Sequence, residues 1–336
     1  MIIAQVPFRM SFFGGGTDFP TFYREHGGRV ISTSIDKYCY VSVRHLPPFF
    51  EYKNNIVYSV RENTKTAEEI QHPAIREAMK FLDMRDLSLT YDADLPARSG
   101  LGSSSSFAVA LLMSFYALKG KYVDKRRLAK EAIYLERVLC GESGGEQDQI
   151  AAAYGGLNKI EFRDSDFEVS PIIISSQRKQ QLNDCLMMFF TGFSRFSFSI
   201  QAEHEKSIPA NAQRLMEILS LTDQAEKILT DGDLDEFGRL LDHTWQLKRG
   251  LTSAVSTDTI DRFYDTAKAA GALGGKLLGA GGGGFLLLYV RPEKQLSVRK
   301  ALSQLKEIPF RFESGGARIL YYVSESYVPA KYEVNI

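Results

Sequence analysis

The sequence predicts a two-domain protein of mixed helices and strands. Three observations carry this. Its 336 residues, at ~100–200 per domain, suggest two domains or one large one. Alternating apolar runs and runs of helical periodicity succeed one another along the chain. A hydrophobic share of 44% beside 24% charged residues supplies enough apolar side chain for packed cores and sets disorder aside.

Taken in order, Ile2–Val6 reads as a short buried strand, Arg29–Arg44 as one or two strands from its alternation, and Ile56–Val60 as another. Glu68–Leu82 has helical spacing, and Leu87–Leu95 alternates until Pro96-Ala97-Arg98-Ser99-Gly100 stops it. Ser103–Leu118 is a helix apolar on most faces, Asp124–Leu139 an amphipathic one ending near Gly141, and Gly145–Tyr154 a short one closed by Gly155-Gly156. A variable stretch, Asp164–Gln181, precedes the buried strand Cys185–Phe190. Helices follow at Ser197–Leu219, Asp223–Leu229, Leu234–Leu247 and Asp258–Ala270, then a glycine loop, the buried strand Phe285–Val290, a helix at Glu293–Lys306 and a strand at Arg318–Val323. The boundary between domains falls near residue 175, giving 1–175 and 176–336.

Composition narrows the function. Lys+Arg and Asp+Glu are both 41, and a general nucleic-acid binder needs a surplus of cations. Cys39, Cys140 and Cys185 are odd in number, far apart and in no CxxC pattern, which fits reduced thiols and excludes a disulfide scaffold or zinc ribbon. The N-terminus has no signal-peptide pattern. The longest apolar stretch, Phe107–Leu118, is interrupted by Ser114 and is shorter than the ~20 residues of a membrane span. The expectation is a soluble cytoplasmic protein with neither nucleic-acid nor membrane partners.

Three glycine loops carry the chemistry. In Gly14-Gly15-Gly16-Thr17-Asp18, after Pro7-Phe8-Arg9, glycines allow close approach of a ligand and Asp18 can accept bonds from two sugar hydroxyls; the plain alternative is a turn whose Asp caps a helix. Ser99-Gly100-Leu101-Gly102-Ser103-Ser104-Ser105-Ser106 joins a strand to a helix start, where backbone N–H groups and the helix dipole favour an anion and a serine hydroxyl can serve Mg²⁺. A cap needs one serine, and four argue for phosphate. Gly279-Ala280-Gly281-Gly282-Gly283-Gly284 matches GxGxxG but is preceded by a helix and followed by a strand, the reverse of a dinucleotide site. Its glycines suggest close approach to a ligand or to the second loop. No GxxxxGK[ST] P-loop and no protein-kinase set is present.

Gly141-Glu142-Ser143-Gly144-Gly145 matches the hydrolase GxSxG elbow, but a helix precedes it where the elbow needs a strand. Ser143 with Glu146 reads better as a capping box for the next helix. Asp148 lies in that helix's first turns and Glu136 on the helix before. A helix–glycine–helix bend can aim both carboxylates at one point, one for Mg²⁺ and one for an attacking hydroxyl. Two solvated acids are the plain alternative.

Pro7-Phe8-Arg9 with Gly14–Asp18, Pro96 through Ser106, and Lys276-Leu-Leu-Gly-Ala-Gly-Gly-Gly-Gly-Phe285 together resemble the three motifs of the GHMP kinases, in the expected order over nearly the whole chain. The GGGTD form and Gly-Glu-Gln-Asp-Gln before Ala-Ala-Ala-Tyr-Gly-Gly look most like the bacterial D-glycero-D-manno-heptose 7-phosphate kinases, with fucokinase-like enzymes next. The resemblance implies an α+β fold, with an N-terminal domain like ribosomal protein S5 domain 2 and a ferredoxin-like C-terminal domain. It implies ATP and Mg²⁺. By position, Ser104 and Glu136 would bind the metal, Asp148 would be the base, and Arg9 would stabilise the substrate oxygen. Gly16, Thr17 and Asp18 would meet the sugar, and Gly100, Leu101, Gly102, Ser103, Ser104, Ser105, Gly281 and Gly282 the nucleotide. Departures are the run of four serines and Arg98 within the second motif.

The expected function is an ATP-dependent kinase acting on the anomeric hydroxyl of a sugar or sugar phosphate, with heptose 7-phosphate ahead of an unphosphorylated, fucose-type substrate. Lys37, Arg44, Lys159 and Arg195 are candidates for holding a second phosphate. A non-catalytic sugar and nucleotide sensor is the contrasting reading, and the joint presence of Arg9, Glu136 and Asp148 argues against it.

Overall fold

The computed structural model describes residues 1–97, 99–164, 166–192 and 197–323. Arg98 and Arg195 lie outside the described residues. The first part of the chain runs β1 (Ile2–Phe13), α1 (Pro20–His26), β2 (Gly28–His45), β3 (Asn54–Val57), β4 (Arg61–Thr64), α2 (Pro73–Phe81), β5 (Leu87–Ala93), α3 (Ser103–Leu118), α4 (Lys125–Tyr134), a π-helical turn at Leu135–Leu139, α5 (Gln147–Tyr154), β6 (Asn158–Arg163) and β7 (Asp166–Pro171). The second part runs α6 (Ser176–Asp184), β8 (Leu186–Phe190), α7 (Ser197–Ser207), α8 (Ala212–Thr230), α9 (Leu234–Arg249), α10 (Asp258–Ala269), β9 (Gly274–Leu277), β10 (Phe285–Tyr289), α11 (Pro292–Ala301), β11 (Lys306–Glu307), β12 (Phe312–Glu313) and β13 (Arg318–Tyr322).

The strand β2 is the spine of the first sheet. It pairs with β1 along most of its length, with β6 near its start and with β5 near its end. Almost every residue of β1 is buried, because both of its faces are covered: α3 packs on it, as do α8 and α9. The second sheet is antiparallel in the order β11-β8-β10-β9. Its chain order, strand–helices–strand–strand–helix–strand, is the ferredoxin-like pattern expected. β12 and β13 then return to pair with β2 and β1, so one cut near residue 175 does not separate the two sheets completely.

Several elements differ from expectation for local reasons. β1 continues past Val6 through Pro7 to Phe13; its register slips between Pro7 and Arg9, where proline has no N–H to offer. α2 starts only at Pro73, a residue suited to the first helical position. The expected helix 124–139 changes at Leu135 into a π turn, a device that re-aims side chains at functional sites. The break after α7 falls at Pro209, not after Leu219. β9 directly precedes the third glycine loop, so that loop is a strand–strand connection; with no helix after it, the dinucleotide reading still fails.

The second and third glycine loops lock together. A Cβ on Gly100 would lie 2.3 Å from the Leu278 carbonyl oxygen, and one on Gly279 2.5 Å from Gly100 Cα. Lys276, the first residue of the third motif, sends Nζ into the end of β1, donating to the carbonyls of Ser11 at 2.8 Å and Phe12 at 3.0 Å. Gly279 has φ +81°, so Gly279→Ala meets both backbone strain and a backbone clash, and should lose at least ~2 kcal/mol of stability in urea unfolding. Gly120→Ala, with φ +67° but nothing within 4 Å, should lose only the ~1 kcal/mol of left-handed strain. Equal losses would show that the loops do not interlock in solution.

Candidate active site

Arg9 stands where β1 slips its register, and its side chain is turned inward and almost wholly buried. Its backbone N–H donates to the Leu101 carbonyl at 3.1 Å, which docks the second glycine loop onto β1. Its guanidinium donates through Nε to Asp148 Oδ1 and through Nη2 to Oδ2, both at 2.7 Å, and through Nη1 to the Gly100 carbonyl at 2.8 Å. This two-pronged pairing fixes the plane of the Asp148 carboxylate. Gly102 brings the start of α3 to the same pair: a Cβ there would sit 3.2 Å from Arg9 Cγ and 3.5 Å from Asp148 Oδ2. No side chain caps the first turn of α3, which leaves its N–H groups for an anion.

The start of α5 is held from outside its own segment. The expected Ser143–Glu146 capping box is not formed; the helix begins at Gln147 without a side-chain bond from its N-cap. Instead Asp18 accepts from Gln147 N–H at 3.3 Å and from Gln147 Nε2 at 2.9 Å, while its other oxygen accepts from Gly16 N–H at 2.9 Å. Glu146 N–H donates to the Asp18 carbonyl at 3.1 Å, and the Glu146 carboxylate accepts from Tyr23. The fit at Gly145 is tight enough that a Cβ would strike Asp18 Oδ2. Burial, with Asp148 nearby as a smaller contribution, raises the Asp18 pKa.

Glu136, on the π turn, is buried behind α3. It accepts from Ser105 Oγ at 2.7 Å and Gln149 Nε2 at 2.6 Å. Burial pushes its pKa up to about 7, with a smaller push from Glu142, against hydrogen bonds from Ser105, Gln149 and Ser104. Of the four serines, only Ser104 is exposed; Ser105 is engaged by Glu136 and Ser106 by the Pro7 carbonyl at 3.0 Å. A hydroxyl beside a carboxylate is an oxygen-only donor pair of the kind Mg²⁺ takes together with water and phosphate, so Ser104 and Glu136 fit that cation. Among the described residues, no cluster of three His, Cys, Asp or Glu could hold a metal by itself.

A cleft between the two parts of the chain is lined by Arg9, Gly16, Asp18 and Asp148 from one side and by His204, Lys248 and Lys276 from the other. Sequence reasoning did not assign the last three. The pKa of His204 falls to about 4 through burial and, less, Lys248, so its ring is neutral near pH 7. Lys248 is lowered to about 8 by its sheltered position and then by Arg9. Lys276 is lowered further, first by burial. His204 and Lys248 belong to no motif, and Lys276 opens the third one without a role that its neighbours in sequence disclose; the cleft brings the three together.

Other expectations need correction. Thr17 does not reach the cleft: it is fully buried, with its hydroxyl donating to the Gly14 carbonyl at 2.8 Å and accepting from the Arg29 N–H at 3.0 Å. The Leu101 side chain is in the core, so only its backbone is available to a nucleotide. Gly281 and Gly282 pack on Val255, Gly282 N–H donating to its carbonyl at 3.1 Å. Lys37 pairs with Asp36 and Lys159 with Glu226, Arg44 is exposed on β2, and none of the three lines the cleft.

Two family matches decide the identity. Residues 64–156 match the GHMP kinases N terminal domain and residues 223–307 the GHMP kinases C terminal domain, together more than half of the chain. The chain belongs to the GHMP kinases. This GHMP kinase is 28% identical over 317 residues to the D-glycero-alpha-D-manno-heptose 7-phosphate kinase of Campylobacter jejuni, covering 90% of this chain and 93% of that protein. It is 27% identical over 347 residues to the L-fucokinase/L-fucose-1-P guanylyltransferase of Bacteroides fragilis, covering 90% of this chain but 36% of that longer protein. Its fold is shared with the crystal structure of a D-glycero-D-manno-heptose 1-phosphate kinase from Bacteroides thetaiotaomicron, at a TM-score of 0.79 and 23% identity over 96% of this chain and all of that one. Lactococcus lactis galactokinase complexed with galactose gives 0.73 at 19% identity, over 94% of each chain. The protein is thus an ATP-dependent sugar kinase. Among the described residues, no helix is long and apolar enough to cross a membrane.

The Glu136 carboxyl yields a pH prediction for this kinase without metal. Its folded pKa is raised from 4.5 to about 7, so between those values the unfolded chain ionises first and stability falls as pH rises. The melting temperature of Glu136→Gln, measured with chelator present, should therefore gain on the wild type from pH 4.5 to 7, equivalent to ~3 kcal/mol. A difference independent of pH would show that Glu136 is not so buried.

Proposed function

We propose that this kinase transfers the γ-phosphoryl group of ATP to the anomeric hydroxyl of D-glycero-D-manno-heptose 7-phosphate, giving the 1,7-bisphosphate, in the cytoplasm. One observation carries the substrate class. Ser11 Oγ, Gln147 Oε1 and His204 Nε2 are buried without a hydrogen-bond partner among the described residues, and all three residues line the cleft beside Asp18. Unpaired buried polar atoms are costly, and a polyhydroxylated ligand would satisfy all three at once. The choice of heptose 7-phosphate is supported by similarity over nearly the full length of the Campylobacter jejuni enzyme. A fucokinase-type reaction on an unphosphorylated sugar is the second reading; it is favoured by the absence of Lys37, Arg44 and Lys159 from the cleft.

In this reading, residues 1–175 carry most of the nucleotide site and residues 176–336 close it. The triphosphate lies along the second glycine loop at the uncapped start of α3. Asp18 and Gln147 hold sugar hydroxyls. Asp148, fixed by Arg9, accepts the proton of the attacking hydroxyl as the new O–P bond forms and the bond to ADP breaks. The Arg9 guanidinium, held beside that carboxylate, would offset negative charge building on the transferred group. Ser104 and Glu136 would hold Mg²⁺, which would supply positive charge to offset that of the phosphate groups.

Asp148→Asn should lower kcat by ~10²–10⁴-fold while leaving ATP affinity near normal, because it acts on the hydroxyl proton; turnover near wild type would remove it from the reaction. Ser104→Ala and Glu136→Gln should raise the Mg²⁺ concentration needed for half-maximal rate, the Glu change more because it deletes a charge. If neither responds to added Mg²⁺, the metal lies elsewhere. Phosphorus NMR of ATP with a panel of sugars tests the substrate directly. Heptose 7-phosphate should exceed unphosphorylated heptose in kcat/KM by at least ~10²-fold, the worth of one or two charge-assisted bonds. A preference for free fucose would favour the second reading.

A further inference from the structure

We propose that Lys248 is a second cationic ligand of the transferred phosphoryl group, reaching it from α9 while Arg9 reaches it from β1. The proposal rests on the reading above for where the reacting hydroxyl lies. Lys248 occupies the last turn of α9 and lines the cleft that contains Arg9, Asp18 and Asp148. Its ammonium donates to the Gly279 carbonyl at 2.6 Å. Gly279 in turn lies against Gly100 of the phosphate loop, at a spacing that would not admit a Cβ. The cation is therefore fastened beside the two glycine loops.

Three further facts point to an anion there. Among the described residues, Lys248 has no carboxylate within salt-bridge distance, and Gly279 uses only one of its three N–H donors. The neighbouring cations are Arg9 and Lys276, against the carboxylates Asp18 and Asp148, and the Asp148 charge is already paired with Arg9. Sheltered ammonium groups without a counter-charge cost stability, and this one is retained in the cleft wall. The contrast with Lys276 is informative: two carbonyls of β1 hold that ammonium, a structural use that leaves it one free donor.

The location selects which phosphate is bound. Arg9, Asp18 and Asp148 line the cleft beside Lys248, where the reading above places the attacking hydroxyl. A phosphate at the far end of a heptose would be several bonds away from them. Lys248 thus donates to the oxygens of the group in flight. Its own proton stays in place: the hydroxyl proton goes to Asp148, one O–P bond forms, and the O–P bond to ADP breaks.

Lys248→Met and Lys248→Arg test this, assayed with whichever sugar the wild type turns over. Met should cut kcat by ~10²–10³-fold, as for loss of one transition-state donor, with KM for sugar and ATP changed less than about 3-fold. Arg should recover part of the rate. The melting temperature of the Met variant should match or exceed the wild type, since a sheltered unpaired charge is removed. In calorimetry, Met should weaken the sugar-bound complex with ADP and aluminium fluoride, a mimic of the transferring group, but not binding of ADP alone. Unchanged kcat would overturn the proposal. So would a defect confined to KM for a phosphorylated sugar, which would assign Lys248 to the second phosphate, or a rate loss accompanied by a fallen melting temperature in both variants. Asp148→Asn measured alongside separates the two readings: normal turnover there removes the proposed base without rescuing or condemning Lys248.

Discussion

The pairing of Arg9 with Asp148 is the constraint on which the rest of the site depends. It joins residues 139 positions apart through two 2.7 Å bonds, and Arg9 also binds the carbonyl of Gly100 and, through its backbone, that of Leu101. One side chain therefore sets the separation of β1, the start of α5 and the second glycine loop. A lysine in its place would present one point charge and could not orient the carboxylate plane. The burial of Arg9 is tolerated because its partners satisfy it on three sides; an unpaired guanidinium at that depth would be strongly destabilising. The same economy explains Asp18, whose buried carboxylate caps α5 across a gap in sequence and so fixes where Asp148 begins its helix.

Much of this was legible in the residues. Ser103–Leu118 was bounded correctly because glycines before it and a nearly unbroken apolar run leave no other solution. The three glycine loops gave the site its outline, and the suggestion that the third approaches the second is met at Gly279 and Gly100. What was missed depends on partners distant in sequence. The capping box at Ser143 and Glu146 satisfies every local rule, yet Asp18 takes the helix start instead, because tertiary contacts override a local cap. Thr17 has the right neighbours but the wrong orientation. β9 is too short and too rich in glycine to register as a strand, and it exists because β10 beside it offers a complete ladder.

The cleft carries costs that the protein's own groups do not recover. Lys248 and Lys276 are both shifted toward neutrality, and three buried polar atoms around Asp18 lack partners. An apolar lining would be more stable for the protein alone. In the proposed reading, a sugar meeting a triphosphate brings hydroxyls to one end of the cleft and negative charge to the other, and so offsets both costs. That pattern distinguishes a working kinase from a fold kept for structural reasons, because a structural role would have no need to keep these groups unsatisfied.

Position along the fold then explains why the C-terminal half cannot be dispensed with. Lys276 is tied to the end of β1, Lys248 to the third loop, and His204 is packed on Phe19. Each brings a polar group from the second half toward the glycine loops of the first. The second sheet supplies Lys276 from β9, α7 and α9 supply His204 and Lys248, and the glycines of the loop after β9 admit the backbone of Gly100 and Ser99 at distances no side chain permits. A site assembled this way must lose geometry in both halves when either moves. Its precision therefore resides in the loop contact between the sheets as much as in the residues that would touch substrate.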